Sequence, residues 1–116
     1  MLSHKNGKLK NKILTASCAS VAHIEVRLTA YHKGHFEFRL CQNNVPQLGT
    51  NSAIAVTQDC FDRHQLTDPS GNSRFPASEG TSINLVKLPV NVWCEACILQ
   101  WRYIAGEYVL SGFLWL

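Results

Sequence analysis

The chain has 116 residues, of which 46% are hydrophobic and 16% are charged, and its formal net charge is +3. This length allows one domain with a hydrophobic core, and the composition excludes a disordered chain. Four lysines lie within the first twelve residues. The rest of the chain is therefore close to neutral, and we expect no nucleic-acid partner. No apolar run is long enough to span a membrane.

Residues 1–20 form a basic N-terminal segment. The apolar stretch that follows its lysines, residues 13–22, is short and contains several Ser and Thr residues. We therefore do not expect this segment to act as a signal peptide.

The next segment predicts two strands, over residues 22–31 and 35–41. Apolar and polar residues alternate with a period of two in both, which is typical of half-buried antiparallel strands. Phe36 and Phe38 are expected to point inward. Lys33 and Gly34 lie between the strands and predict a two-residue hairpin turn.

The remainder of the chain predicts further short strands between loops rich in Gly, Pro and Asn. A weak strand at 53–56 is followed by a short compact element at 59–64 and a long loop at 67–82. Strands are expected at 83–88 and 97–105, and Trp101 and Tyr103 of the latter are expected in the core. Residues 107–116 are an apolar tail, which is either a last strand or a non-native end of a truncated domain. The pattern indicates an all-β fold with antiparallel strands, of the sandwich type.

Two histidines, His32 and His35, flank the predicted turn. Residues on either side of such a turn face one another, so a histidine at this position can serve as a metal ligand. The alternative is a pair of surface histidines at the tip of a loop, without a ligand.

The cysteine pattern allows three interpretations. Cys94 and Cys97 form a Cys-x-x-Cys pair after a tryptophan, as in thioredoxin-like redox sites, but the residues that follow have a strand pattern and not a helical one. The pair could also bind zinc together with Cys60 and His64. We favour disulfides, Cys41–Cys60 and Cys94–Cys97, because a small loop-rich β domain gains stability from cross-links. Cys18 then remains unpaired.

Three motifs in order carry a resemblance to a known family. The first is His32-x-Gly34-x-Phe36-x-Phe38-x-x-Cys41 and the second is Asp59-Cys60-Phe61-Asp62. The third is Cys94-x-x-Cys97-x-x-Gln100-Trp101-x-Tyr103-x-x-Gly106. Together they resemble the lytic polysaccharide monooxygenases of arthropods, or chitin-binding type 4 domains, over residues 21–106.

The resemblance implies an immunoglobulin-like antiparallel β-sandwich that acts outside the cell, as a monomer, on insoluble chitin or cellulose. Members of the family hold one copper ion in a histidine brace and cleave glycosidic bonds oxidatively. The brace combines the amino group and imidazole of the first residue of the mature chain with an internal histidine. His32 matches the internal ligand, and nitrogen ligands of this type suit copper. Gln100 matches a patterned polar position that could support the site. His35 occupies a variable position and receives no role.

The chain also departs from the family pattern. It begins Met1-Leu2-Ser3-His4 and lacks the amino-terminal histidine with its long first segment, and residues 107–116 leave the pattern as well. We therefore expect an incomplete domain that binds copper weakly or not at all and releases no oxidised sugars when made from Met1. The alternative function is a polysaccharide-binding module without redox chemistry.

Overall fold

The computed structural model describes residues 7–15, 20–42, 57–90, 92 and 97–115. Two antiparallel sheets make up most of this part of the chain. The first has the strand order β1-β2-β5 and the second has the order β4-β3-β6-β7. The strands are β1 (Gly7–Thr15), β2 (Ser20–Leu28), β3 (His35–Gln42), β4 (Phe75–Pro76), β5 (Gly80–Lys87), β6 (Cys97–Ala105) and β7 (Tyr108–Trp115), and one short helix, α1 (Gln58–Asp62), follows β3 in sequence.

Alternating side chains from both sheets form the core. Ala22, Ile24, Val26 and Leu28 of β2 are buried, as are Phe36, Phe38 and Leu40 of β3. Strand β6 contributes Leu99, Trp101 and Tyr103 to the same cluster. This arrangement confirms the all-β sandwich, the four principal predicted strands and the inward orientation of the predicted aromatic residues. The weak strand predicted at 53–56 lies outside the described residues.

The predicted hairpin between the first two core strands is wrong. Strand β2 pairs with β1 and β5, whereas β3 pairs with β4 and β6. Residues 29–34 therefore carry the chain from one sheet to the other. A period-two pattern shows that each strand has one buried face, but it does not show whether consecutive strands pair or face each other across a core.

Two strands lie in the segments that the sequence pattern sets apart from the core. Strand β1 pairs with β2 along its whole length, from Gly7 opposite Leu28 to Thr15 opposite Ser20. Strand β7 pairs with β6 from Tyr108 opposite Ala105 to Trp115 opposite Ile98. The basic segment and the apolar tail therefore both contribute to the sheets.

Helix α1 covers one end of the second sheet on its outer face. Thr57 caps the helix by accepting a hydrogen bond from the Cys60 amide at 3.3 Å. Phe61 packs in a small cluster with Cys41, Ile98 and Phe113. A disulfide joins Cys60 to Cys41 of β3, with Cα atoms 5.1 Å apart. The helix is too short to be stable in isolation, so its capping, its packing and this cross-link fix its place.

Candidate functional site

His32 lies on the connection between the two sheets, and its side chain is exposed. Its backbone amide donates a hydrogen bond of 2.7 Å to the hydroxyl of Tyr103, 71 residues further along the chain. Its imidazole meets the ring of Tyr108 edge-on, with centroids 5.3 Å apart and an angle of 75° between the planes. The histidine is therefore accessible to solvent while its backbone is held by the edge of the core.

The residues after His32 adopt an unusual backbone conformation. Lys33 has a φ of 62° and Gly34 a φ of 81°, both in the left-handed region. The Lys33 carbonyl accepts a hydrogen bond of 2.6 Å from the same Tyr103 hydroxyl. The Gly34 carbonyl accepts one of 3.2 Å from the Ala77 amide. The connection is thus tied to β6 and to the segment that follows β4.

Several strand ends meet at this end of the sandwich. Strand β1 begins at Gly7, which pairs with Leu28 at the end of β2, and Leu28 in turn pairs with Gly80 at the start of β5. In the second sheet, the turn between β6 and β7 closes at Ala105 and Tyr108. The chain therefore enters the first sheet at the same end of the sandwich that carries His32.

The structure does not place His35 opposite His32, since the predicted hairpin is not formed. His35 is the first residue of β3, and its Nε2 lies 3.0 Å from a carboxylate oxygen of Glu37 on the same strand. Arg39 donates to the other carboxylate oxygen at 2.9 Å. Burial raises the pKa of Glu37, but the hydrogen bonds and positive charges of His35 and Arg39 outweigh it and hold the pKa below the ordinary value of 4.5.

Gln100 is also separate from His32. Its amide forms a reciprocal pair with the amide of Gln58 in α1, through hydrogen bonds of 2.9 and 3.1 Å. Gln100 pairs with Arg39 in the register of β3 and β6. Ile104, which pairs with His35 at the end of the sheet next to His32, lies four residues further along β6. Four residues of a strand span about 13 Å. The polar contacts of Gln100 therefore connect the sheet to the helix.

The disulfide at Cys60 rules out the zinc site predicted from Cys60, His64, Cys94 and Cys97. Cys60 is in a disulfide and offers no thiolate for a metal. Cys97 is also disulfide-bonded, while Cys94 and Cys18 lie outside the described residues. Within the described part of the chain, no group of three or more His, Cys, Asp or Glu side chains could hold a metal ion.

Neither of the two tyrosines that contact His32 can be recognised as part of the site from the sequence alone. The alternation along β6 correctly predicts Tyr103 as a core residue, but it gives no sign that the hydroxyl reaches the end of the sandwich. Tyr108 belongs to the segment treated as a tail. The one available signal is that a buried tyrosine hydroxyl usually has a hydrogen-bond partner, although the sequence does not say which one.

Comparisons with known proteins agree with this fold. The family model described as "Lytic polysaccharide mono-oxygenase, cellulose-degrading" matches residues 3–110. The chain therefore belongs to the lytic polysaccharide monooxygenase family. No curated protein matches the chain significantly.

A solved structure is also similar, that of the lytic polysaccharide monooxygenase AA15 from Thermobia domestica in the Cu(I) state. The sequence identity is 29% and the TM-score is 0.64, over 82% of this chain and 57% of that one. The chain thus spans little more than half the length of this relative. Among the described residues, no helix is long and apolar enough to cross a membrane.

Proposed function

We propose that this chain is a copper-dependent polysaccharide monooxygenase domain in which His32 supplies the internal imidazole of the copper site. The observation that carries the proposal is the exposed His32 imidazole on a connection whose backbone is fixed by Tyr103. An imidazole held in this way is ready to act as a ligand without a large loss of conformational freedom.

The described residues fit one part of such a copper site. An imidazole nitrogen is a suitable copper ligand, and His32 offers it at the end of the sandwich. No set of three metal-binding side chains exists among the described residues, so the other nitrogen donors of a brace would come from outside them. Copper, when bound, would supply the redox chemistry of glycosidic bond cleavage, with an external reductant and oxygen or peroxide.

The strand register supports the entry of further donors at this end. Gly7 pairs with Leu28, and Leu28 precedes His32 by only four residues. Strand β1 therefore begins at the end of the sandwich where a second histidine would be needed. We do not extend the proposal to Gln100, because its amide is already paired with Gln58.

The proposed substrate is an insoluble β-linked polysaccharide, chitin or cellulose, met outside the cell. The family model carries the description "cellulose-degrading", and the sequence motifs resemble the arthropod enzymes and chitin-binding type 4 domains. The two substrates are therefore tested side by side.

A second candidate function is that of a polysaccharide-binding module without redox chemistry. The specific observation in its favour is that the described residues contain no group of three or more His, Cys, Asp or Glu side chains that could hold a metal ion. A sandwich of this kind could still bind a polysaccharide surface through its exposed residues.

One experiment separates the two functions. The 116-residue chain is incubated with chitin or cellulose, Cu(II) and ascorbate, and soluble products are analysed by mass spectrometry while bound protein is measured by pull-down. A His32→Ala variant tests the proposed ligand, and His64→Ala is the matched control at a histidine on the helix side of the second sheet. Oxidised oligosaccharides that require His32, and not His64, support the monooxygenase. Polysaccharide binding without oxidised products supports the binding module only if Cu(II) also leaves the His32 imidazole signals unbroadened, because an incomplete brace gives no oxidised products in either case.

A further inference from the structure

Tyr103 places its hydroxyl at a fixed point at the edge of the core. Its side chain is fully buried. Its ring packs edge-on against Phe36 at 5.5 Å between centroids and is stacked with Trp101 at 6.5 Å. A ring enclosed on these sides has little freedom to move, because protein cores are close-packed. The hydroxyl is therefore a rigid anchor for whatever it contacts.

The Tyr103 hydroxyl accepts one hydrogen bond from the backbone of residues 32–33 and donates another to it. The oxygen accepts from the His32 amide at 2.7 Å, and the hydroxyl hydrogen is donated to the Lys33 carbonyl at 2.6 Å. The Cα atoms of His32 and Lys33 both lie between these two groups. The Tyr103 hydroxyl thus holds the backbone unit that carries the imidazole.

Tyr108 acts on the imidazole itself. Its ring contacts that of His32 edge-on at 5.3 Å and that of Tyr103 at 6.2 Å, with angles of 75° and 87°. The imidazole therefore has a neighbour on one side although it is exposed on the other. An edge-on contact of this kind favours one side-chain rotamer over the alternatives.

We propose that Tyr103 is a positioning residue that holds His32 in a ligand-ready geometry before any metal arrives, and that Tyr108 selects the direction of the imidazole. The inference rests on the proposed function for the identity of the ligand, copper. The positioning itself is a property of the copper-free chain.

The backbone of the connection explains why such an anchor is required. Lys33 has a positive φ of 62°, which side-chain-bearing residues rarely adopt. An exposed connection with this conformation would return to commoner backbone angles if nothing held it. The Tyr103 hydroxyl holds it by bonding the Lys33 carbonyl, and the His32 backbone is held with it.

The test uses the copper-free chain and two variants that each remove one tyrosine hydroxyl. Tyr103→Phe removes the anchor. Tyr31→Phe is the matched control, since Tyr31 immediately precedes His32 and its side chain is exposed. Amide hydrogen exchange is followed by NMR at His32 and at Leu66, whose amide donates to the Phe38 carbonyl at 2.8 Å in another part of the sandwich.

In Tyr103→Phe we expect exchange of the His32 amide to accelerate by roughly threefold to tenfold, the factor that the net value of one hydrogen bond predicts. Exchange at Leu66 stays unchanged, and Tyr31→Phe leaves both amides as they are. Equal acceleration at His32 and Leu66 would show that the Tyr103 hydroxyl stabilises the whole fold. No change at His32 would show that the hydroxyl does not hold the His32 backbone. Either result overturns the proposal.

A second measurement separates positioning from a purely structural role. Three-bond couplings report the χ1 rotamer of His32, and we expect one dominant rotamer in the parent and averaged values in Tyr108→Leu, with the His32 amide still protected. Averaged couplings in the parent would overturn the role of Tyr108.

The probe for the metal is Cu(II) alone. Failure of Cu(II) to broaden the His32 signals of the parent chain contradicts the proposed function, whatever the rotamer results show.

Discussion

Gly34 lies so close to the carbonyl group of Ile104 that no side chain fits between them. A Cβ at position 34 would overlap the Ile104 carbonyl oxygen and would lie 2.9 Å from both the Ile104 carbonyl carbon and the Ala105 Cα. These atoms belong to the backbone of β6 and cannot move aside without disturbing the sheet. The close approach holds the connection that carries His32 against the end of β6.

Gly34→Ala should therefore be strongly destabilising. It combines a positive φ with a backbone collision, and we expect a loss of about 3 kcal/mol or more in the free energy of unfolding. Gly71→Ala is the matched control, because Gly71 also has a positive φ, of 93°, but a Cβ there would meet nothing within 4 Å. Its expected cost is about 1 kcal/mol. Urea unfolding measures both, and equal losses would show that the close contact with β6 does not matter.

Gly34 also illustrates how far the sequence predicts this region. The sequence pattern predicts a hairpin turn at this glycine, and the glycine does have the positive φ typical of such turns, 81°. The reason is different, however: the glycine allows the connection between the sheets to pass directly against the backbone of β6 at Ile104. A glycine signals that some backbone constraint exists, but a single sequence does not identify the partner, which here is 70 residues away.

The cross-link between Cys41 and Cys60 should stabilise the sandwich. It closes a sequence separation of 19 residues and attaches α1 to β3. The double variant Cys41→Ala with Cys60→Ala should lose about 2–4 kcal/mol in the free energy of unfolding. Denaturant unfolding of the oxidised protein checks this value. A loss below about 0.5 kcal/mol would show that the packing of Phe61 holds the helix without the disulfide.

Glu37 should make the stability of the chain depend on pH. Its pKa in the folded state is held below the ordinary value of 4.5 by His35 and Arg39, against the opposing effect of burial. A depressed pKa means that the carboxylate contributes stability above the unfolded-state pKa and loses it as the pH falls through the folded-state pKa. Glu37→Gln should therefore cost about 1 kcal/mol at pH 7, and the difference from the parent should shrink below pH 4.5.

Urea unfolding at neutral and at acidic pH tests this prediction. Glu79→Gln is the control, since this exposed glutamate precedes β5 and lies outside the ion pairs of the second sheet. It should have little effect at either pH. A cost of Glu37→Gln that is the same at both pH values would contradict the assignment.

The fold is better predicted by the sequence than the site. Alternation identifies the strands, because burial of one face requires it whichever strands are neighbours. The surroundings of His32 depend instead on contacts between distant segments, in particular with Tyr103 and Tyr108. Those contacts follow from the crossing of residues 29–34 between sheets, which the alternation does not encode. The sequence also does not show that Gln100 is separate from His32, because this requires the register of β3 and β6.

Paramagnetic NMR shows whether copper binds at His32. Substoichiometric Cu(II) is added to the 116-residue chain, and the imidazole signals of its histidines are followed, since bound Cu(II) broadens nearby nuclei even when binding is weak. We expect His32 and the neighbouring Tyr108 ring to broaden first, before His23, His35 and His64, and the effect to disappear from this region in His32→Ala. Broadening that begins at His4, His23, His35 or His64 and leaves His32 sharp would contradict the assignment of His32 as the copper ligand.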